Sequence, residues 1–230
     1  MFLYLIIIVM KGKIIAFEGG DRAGKNTQTR LMINRLEEVG LIVETESFPT
    51  YDKTPVGVIP AEYLTGRFGD KDDIKPEVGS LFYSADRYQF KEKFEKALEK
   101  GKYLVLDRYI ASNLYQVAKA PKEQWLELWE WIKKVESRLP QPDETIYLNV
   151  SPKISSKLFS GESKNHLLRE GQKDEHEADE NYLKRVNEAY LTIGSREGWI
   201  MIDCVEKGIM RSVEEISNQA FNELKVRKVI

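Results

Sequence analysis

The chain holds one cysteine, Cys204, so no disulfide can form within it, and a reducing, cytoplasmic setting is expected. Its place in an apolar stretch points to packing. Charge of one sign is equally scarce: 35 Lys and Arg against 37 Asp and Glu leave a net charge of -2, which gives no reason to expect a nucleic-acid partner. Apolar runs of the ~20 residues that a membrane span requires are missing too. The run Phe2 to Val9 is far shorter, and it lacks the preceding positive charge and small-residue cleavage point of a signal peptide. Met10 followed by Lys11-Gly12-Lys13 reads as a more natural beginning. Residues 1–12 are therefore expected to be an extension, either a start-site artefact or an optional extra strand. There is no internal repeat and no linker, so the 230 residues read as one domain over 13–230, with a composition, 42% apolar and 31% charged, suited to a globular core.

What is present is a regular alternation. Short apolar runs at Lys13 to Ala16, Leu41 to Val43, Tyr103 to Leu106, Thr145 to Val150 and Trp199 to Ile202 read as five buried strands. Between them, apolar residues at helical spacing mark helices: Leu31, Met32, Leu36 and Val39, closed by Gly40; a short one near Val56 to Leu64; and one opened by Pro76, with Val78, Leu81, Phe82, Ala85 and Tyr88 on its inner side. Trp125, Leu128, Trp129, Ile132 and Val135 form a wide stripe that serves as core or as an oligomer face. Ser151-Pro152 starts another helix, Tyr182 to Ile193 continue the pattern, and Ser212 with Glu215 forms a capping box for the last helix. The stretch 160–179 is polar and aperiodic. Buried strands alternating with helices predict a parallel sheet covered on both faces, which binds its ligands at the carboxyl ends of the strands.

At the end of the first strand stands Phe17-Glu18-Gly19-Gly20-Asp21-Arg22-Ala23-Gly24-Lys25-Asn26-Thr27-Gln28. This is a phosphate-binding loop: glycines let backbone N–H groups curl around phosphate oxygens, the next helix offers its positive end, and Lys25 reaches the outer phosphates of a nucleoside triphosphate. Gly19 through Thr27 are the expected contacts. Asn26 departs from the rule, because a Ser or Thr there normally puts a hydroxyl on Mg²⁺; its amide oxygen is the substitute. Asp107, ending the strand at Tyr103, is the second metal-orienting group, and Arg108 can hold a second anion by a two-pronged contact.

The phosphate loop, then Phe48-Pro49-Thr50-Tyr51, Leu81 to Arg87 and Asp107 to Asn113, in that order and spacing, resemble the thymidylate kinase family. The resemblance runs from Lys13 to about Val213. It implies transfer of the γ-phosphoryl of ATP to dTMP with Mg²⁺, a five-stranded parallel sheet of order 2-3-1-4-5, a lid near 160–179, and a homodimer. Residue by residue, Asp21 matches the aspartate near the substrate sugar and phosphate. Arg22 matches a loop arginine that touches the phosphoryl group in flight, and Phe48 and Pro49 a substrate-lining pair. Tyr83 matches the aromatic that stacks on thymine, Arg87 the arginine that bonds a base carbonyl, and Ser112 and Asn113 the residues at the base edge. Tyr115 and Gln116 compete for a place beside the sugar, and Gln116 is the one assigned to it. Family members often carry an arginine shortly after the proline, where this chain has Thr50-Tyr51, so the phosphate grip passes to Arg108 and the Tyr51 hydroxyl. With Arg22 present, Arg169 in the lid is expected to be auxiliary, beside Lys157, Lys164 and Lys173. Two rival readings are a deoxynucleoside kinase, which needs a carboxylate after the second strand that Phe48 to Tyr51 do not supply, and a nucleotide switch, whose Asn-Lys-x-Asp run is absent.

Overall fold

The computed structural model describes residues 11–70, 73–158 and 180–230. The first ten residues, the 160–179 stretch with Arg169, Lys164 and Lys173, and the side chain of Lys157 lie outside the description.

Five strands form one parallel sheet: β1 (Ile14–Gly19), β2 (Val43–Ser47), β3 (Tyr103–Asp107), β4 (Glu144–Asn149) and β5 (Ile200–Asp203), in the order β2-β3-β1-β4-β5. The expected order 2-3-1-4-5 is the observed one. The helices are α1 (Lys25–Glu38), α2 (Val58–Leu64), α3 (Pro76–Tyr88), α4 (Lys91–Glu99), α5 (Leu114–Val117), α6 (Trp125–Val135), α7 (Pro152–Leu158), α8 (Glu180–Glu197) and α9 (Val213–Val226). A two-residue hairpin, β6 (Val205–Glu206) with β7 (Ile209–Met210), leads into α9. Ser212 Oγ accepts from the Glu215 amide, and the Glu215 carboxylate accepts from the Ser212 amide, so the capping box is complete.

Alternate residues of β1 feed two cores, as the two-residue period of a strand demands. Ile14 and Ala16 join Leu104, Leu106, Phe94, Trp125, Ile132 and Val186 on one face; Ile15 and Phe17 join Val105, Ile146, Met32, Leu36, Ile216 and Leu224 on the other. The α6 stripe is thereby settled as core. Cys204 is packed in the second cluster, where burial pushes its thiol up to about 12, out of reach of thiolate chemistry.

Two expectations need correction, and one helix has no counterpart among them. The second strand runs from Val43 to Ser47 rather than over Leu41 to Val43, and Ile42 is 63% exposed. An edge strand needs no continuous apolar run, and here Glu44 and Glu46 pair outward with Lys102 and Lys93. In α3 the expected inner side is turned out: Val78 and Leu81 are 42% and 44% exposed, while Gly79, Ser80, Ser84, Asp86 and Arg87 are buried. The face of α3 that packs on α5 and α6 is polar, because it carries hydrogen bonds described below. The helix without a counterpart is α4, whose lysines and glutamates mask the periodicity of its buried Phe94, Ala97 and Leu98.

Strand register brings the chemistry to one rim. Phe17 pairs with Asp107, and Ser47 also pairs with Asp107, so β2 and β3 end level with Phe17 and β1 runs two residues further, to Gly19. The loops at 20–24, 48–53 and 108–113 all leave from that edge.

Candidate active site

Between β1 and α1 the loop turns back on itself. The Lys25 ammonium donates to the Gly20 carbonyl at 2.7 Å, and Gly24, with φ 86, takes the left-handed turn that glycine tolerates. Arg22 holds the same region with φ 63, as do Tyr51 (φ 48) and Arg108 (φ 67). Non-glycine residues in this conformation cost free energy and persist where the surroundings over-determine them. All three face one cleft of about 460 Å³, lined also by Lys25, Asn26, Thr27, Pro49, Asp52, Lys53 and Asp107.

Charge dominates this cleft. Lys25 is buried, and burial first, then the neighbouring Arg108 guanidinium, push its ammonium down to about 8 against the opposing pull of Asp21, Asp107 and Glu18. Arg108 donates to Asp21 Oδ1 at 2.5 Å and to the Gly19 carbonyl at 3.2 Å, and its guanidinium lies 5.3 Å from the centre of the Tyr115 ring. Asp107 Oδ1 is buried with no hydrogen-bond partner. An unsatisfied buried carboxylate oxygen beside a lysine is a position a hydrated cation would satisfy. Among the described residues no group of three or more His, Cys, Asp or Glu could hold a metal by itself.

The residues expected on the acceptor side gather around α3. Asp86, almost fully buried, receives the Thr50 amide at 2.8 Å, the Thr50 hydroxyl at 2.5 Å and the Gln89 amide at 2.7 Å, which latches the 50–54 turn behind Phe48 and Pro49. Phe48 itself is largely core, edge-on to Phe90 and Phe94. Arg87 is buried with Glu136, to which its Nε and one terminal nitrogen donate at 2.9 and 2.5 Å. Burial raises the Glu136 carboxyl and the Arg87 charge opposes it. Tyr83 stands edge-on to Tyr63 at 6.0 Å. Asn113 is buried, with Oδ1 unpartnered and Nδ2 3.5 Å from Ser84 Oγ.

Two assignments shift. Gln116 does not face the cleft: it is 1% exposed, and its Oε1 accepts from the Tyr63 hydroxyl at 3.0 Å. Tyr115 instead lines a neighbouring cavity of about 150 Å³ with Gly20, Asp21 and Arg22, its hydroxyl 3.3 Å from Asp21 Oδ2. Adjacent helical residues point about 100° apart, so only one of the two can serve there. Ser112 turns its hydroxyl to Glu18 at 2.8 Å.

Sequence reasoning assigned nothing to Glu18, Asp86, Tyr190 or Lys53. Glu18 carried a signal, since a carboxylate inside an otherwise apolar strand must be hydrogen-bonded. For Asp86 and Tyr190 helical spacing gave none.

Residues 17–216 match the family model described as Thymidylate kinase. Thymidylate kinase of Plasmodium falciparum is 29% identical, with 95% of this chain and 92% of that protein covered. The enzyme of Caldanaerobacter subterraneus is 31% identical, with 90% and 97% covered. The solved thymidylate kinase from Candida albicans superposes with a TM-score of 0.72 at 24% identity, over 95% of this chain and 93% of that one, and shares the fold. A phosphate loop on a 2-3-1-4-5 parallel sheet, matched over most of its length by this family, makes the chain a member of the thymidylate kinase family, nucleoside monophosphate kinases that move the γ-phosphoryl of ATP to dTMP.

Proposed function

We propose that the cleft between the phosphate loop and the 48–53 turn is where this transfer takes place, with ATP on the loop at Gly19 to Thr27 and dTMP against Pro49, Tyr51, Tyr83 and Arg108. The convergence of Arg22, Lys25 and Arg108 on one rim beside an unpartnered Asp107 oxygen carries the reading. Phosphoryl transfer needs alignment and charge neutralisation more than a strong base. Lys25 leaves the Gly20 carbonyl for the outer phosphates of ATP, Arg22 follows the moving phosphoryl group, and Arg108 with the Tyr51 hydroxyl holds the acceptor phosphate. Lys53, on the same wall, adds positive charge where relatives of this kind often carry an arginine.

Asp107 and Asn26 are the residues that would hold Mg²⁺, the first through water and the second by its amide oxygen. The ion, when bound, supplies charge neutralisation on the phosphate oxygens. At the base, Arg87 donates to a carbonyl and so favours thymine or uracil over cytosine, whose amine at that position is itself a donor. The pairing with Glu136 fixes the plane of the guanidinium for that contact.

The outward apolar face of α3 supports a homodimer. Val78 and Leu81 are exposed there, and Phe68 stacks on Phe82 at 4.9 Å beside them. Among the described residues no helix is long and apolar enough to cross a membrane. A cytoplasmic setting fits the nucleotide substrates and the single buried thiol.

ADP release with dTMP, dUMP, dCMP, AMP, thymidine or no acceptor is the test. Turnover with dTMP, less with dUMP and little with the others is expected. Equal rates with dCMP or AMP would refute the base assignment, and preference for thymidine would turn attention to Asp52, the carboxylate on the cleft wall.

A further inference from the structure

Glu18 has no part in the scheme above, yet it accepts as many hydrogen bonds as Asp86 and, like it, lies beside the cleft. Its side chain is fully buried one residue before the phosphate loop. Three donors from different parts of the chain end on it: the Tyr109 amide at 2.7 Å, the Ser112 hydroxyl at 2.8 Å and the Tyr190 hydroxyl of α8 at 2.9 Å. Burial raises its carboxyl, and the Arg108 charge and these donors oppose that shift. The rest of β1 is apolar and equally buried, so packing alone would be met by another apolar side chain.

The residue enclosed by these bonds is Arg108. Its amide donates to the Phe17 carbonyl at 2.9 Å, and the next amide, that of Tyr109, donates to Glu18. Both flanks of a residue with φ 67 are therefore pinned to consecutive residues of β1. That conformation aims the guanidinium back over the phosphate loop, onto Gly19 and Asp21. Tyr190 is itself fixed by a face-to-face stack on Tyr147, with centroids 4.6 Å apart and planes 13° apart.

We propose that Glu18 is a positioning residue for phosphoryl transfer: it holds Arg108 in the left-handed conformation that presents the guanidinium to the acceptor phosphate, and the Tyr190 hydroxyl keeps the Glu18 carboxylate in register. The inference rests on the assignment of Arg108 as the acceptor-phosphate ligand. Glu18→Gln keeps the shape but sets an amide N–H₂ among three donors. Tyr190→Phe removes one donor and leaves the ring stack.

The test is a double-mutant cycle, by single-turnover transfer from Mg·ATP to dTMP, on the parent, Glu18→Gln, Tyr190→Phe, Arg108→Ala and the combination of Arg108→Ala with each. ATP dissociation constants and melting temperatures are measured alongside. Glu18→Gln is expected to slow transfer by about 10- to 100-fold and Tyr190→Phe by about 3- to 10-fold, with ATP binding within about twofold of the parent. On the Arg108→Ala background neither should slow transfer further. An unchanged rate in both single variants, a loss that persists in full without Arg108, or a matching loss of ATP affinity would overturn the inference. If Glu18→Gln does not fold, the Tyr190→Phe cycle decides the matter by the same criteria. A parent protein that fails to phosphorylate dTMP would refute the reading of the cleft, whereas an active parent with insensitive variants would refute only the role of Glu18.

Discussion

Arg108 and Asp21 close the rim of the cleft between them: the guanidinium after β3 meets the carboxylate of the phosphate loop at 2.5 Å, above the ring of Tyr115. The arginine side chain keeps 15% of its surface accessible and the aspartate 36%. On the proposed reading, an incoming phosphate meets a cation already oriented, whose second partner is the Gly19 carbonyl and not another charge.

Arg22 differs from Arg108 in what it contributes. It occupies the middle of the loop at φ 63 and lines the cleft, where the proposed transfer would pass it. Arg22→Ala is expected to lower turnover by about 10³ while leaving ATP binding nearly intact, because such contacts strengthen in the transition state. Steady-state rates beside direct ATP titration check this; a loss confined to ATP affinity would make Arg22 a ground-state ligand.

The lowered Lys25 sets a pH dependence. Burial brings its ammonium from the ordinary 10.5 to about 8, so between those values the folded chain binds fewer protons than the unfolded one. From this group stability rises with pH across that window. ATP phosphates favour the charged amine, so ATP binding should weaken above pH 8 and take up a proton. Calorimetric titration at about pH 8.5 in two buffers of different ionisation enthalpy measures that uptake, and an identical binding heat in both would contradict it.

Gly57 packs closely against the turn at 50–54. A Cβ there would lie 2.3 Å from the Tyr51 carbonyl and 2.5 Å from Thr50 Oγ1, and the first of these is backbone that cannot rotate away. Gly57→Ala should displace Tyr51 and Lys53 and raise the KM for dTMP about tenfold, at nearly unchanged KM for ATP. Equal changes in both constants would mean that the turn and the phosphate loop move as one body.

Asn26 is the unusual residue of the loop, exposed in the first turn of α1. Mg²⁺ tolerates little departure from octahedral geometry at ~2.0–2.1 Å, and an asparagine oxygen sits further from the backbone than a hydroxyl. Asn26→Thr is expected to keep activity and lower the Mg²⁺ concentration for half-maximal rate. A Mg²⁺ titration at fixed ATP compares the two proteins, and an equal or higher requirement in the variant would make Asn26 an adequate metal-site residue.

The sequence by itself determined the alternation of buried strands with helices, the phosphate loop at the end of β1 and the strand-end pair Asp107-Arg108. Each is a local signal: a period, a glycine spacing, or a polar residue closing an apolar run. Resemblance added the sheet order. Tertiary structure decided what depends on partners far along the chain. Glu18 meets Tyr109 and Tyr190 across 91 and 172 residues, and Asp86 meets Thr50 across 36. It also decided that Tyr115 rather than Gln116 faces Asp21, and that α3 buries its polar side. Apolar periodicity reports which side of a helix avoids water, but a helix beside a cleft can bury hydrogen-bonded polar groups and leave its apolar side outward. Only the positions of the neighbouring elements distinguish the two arrangements.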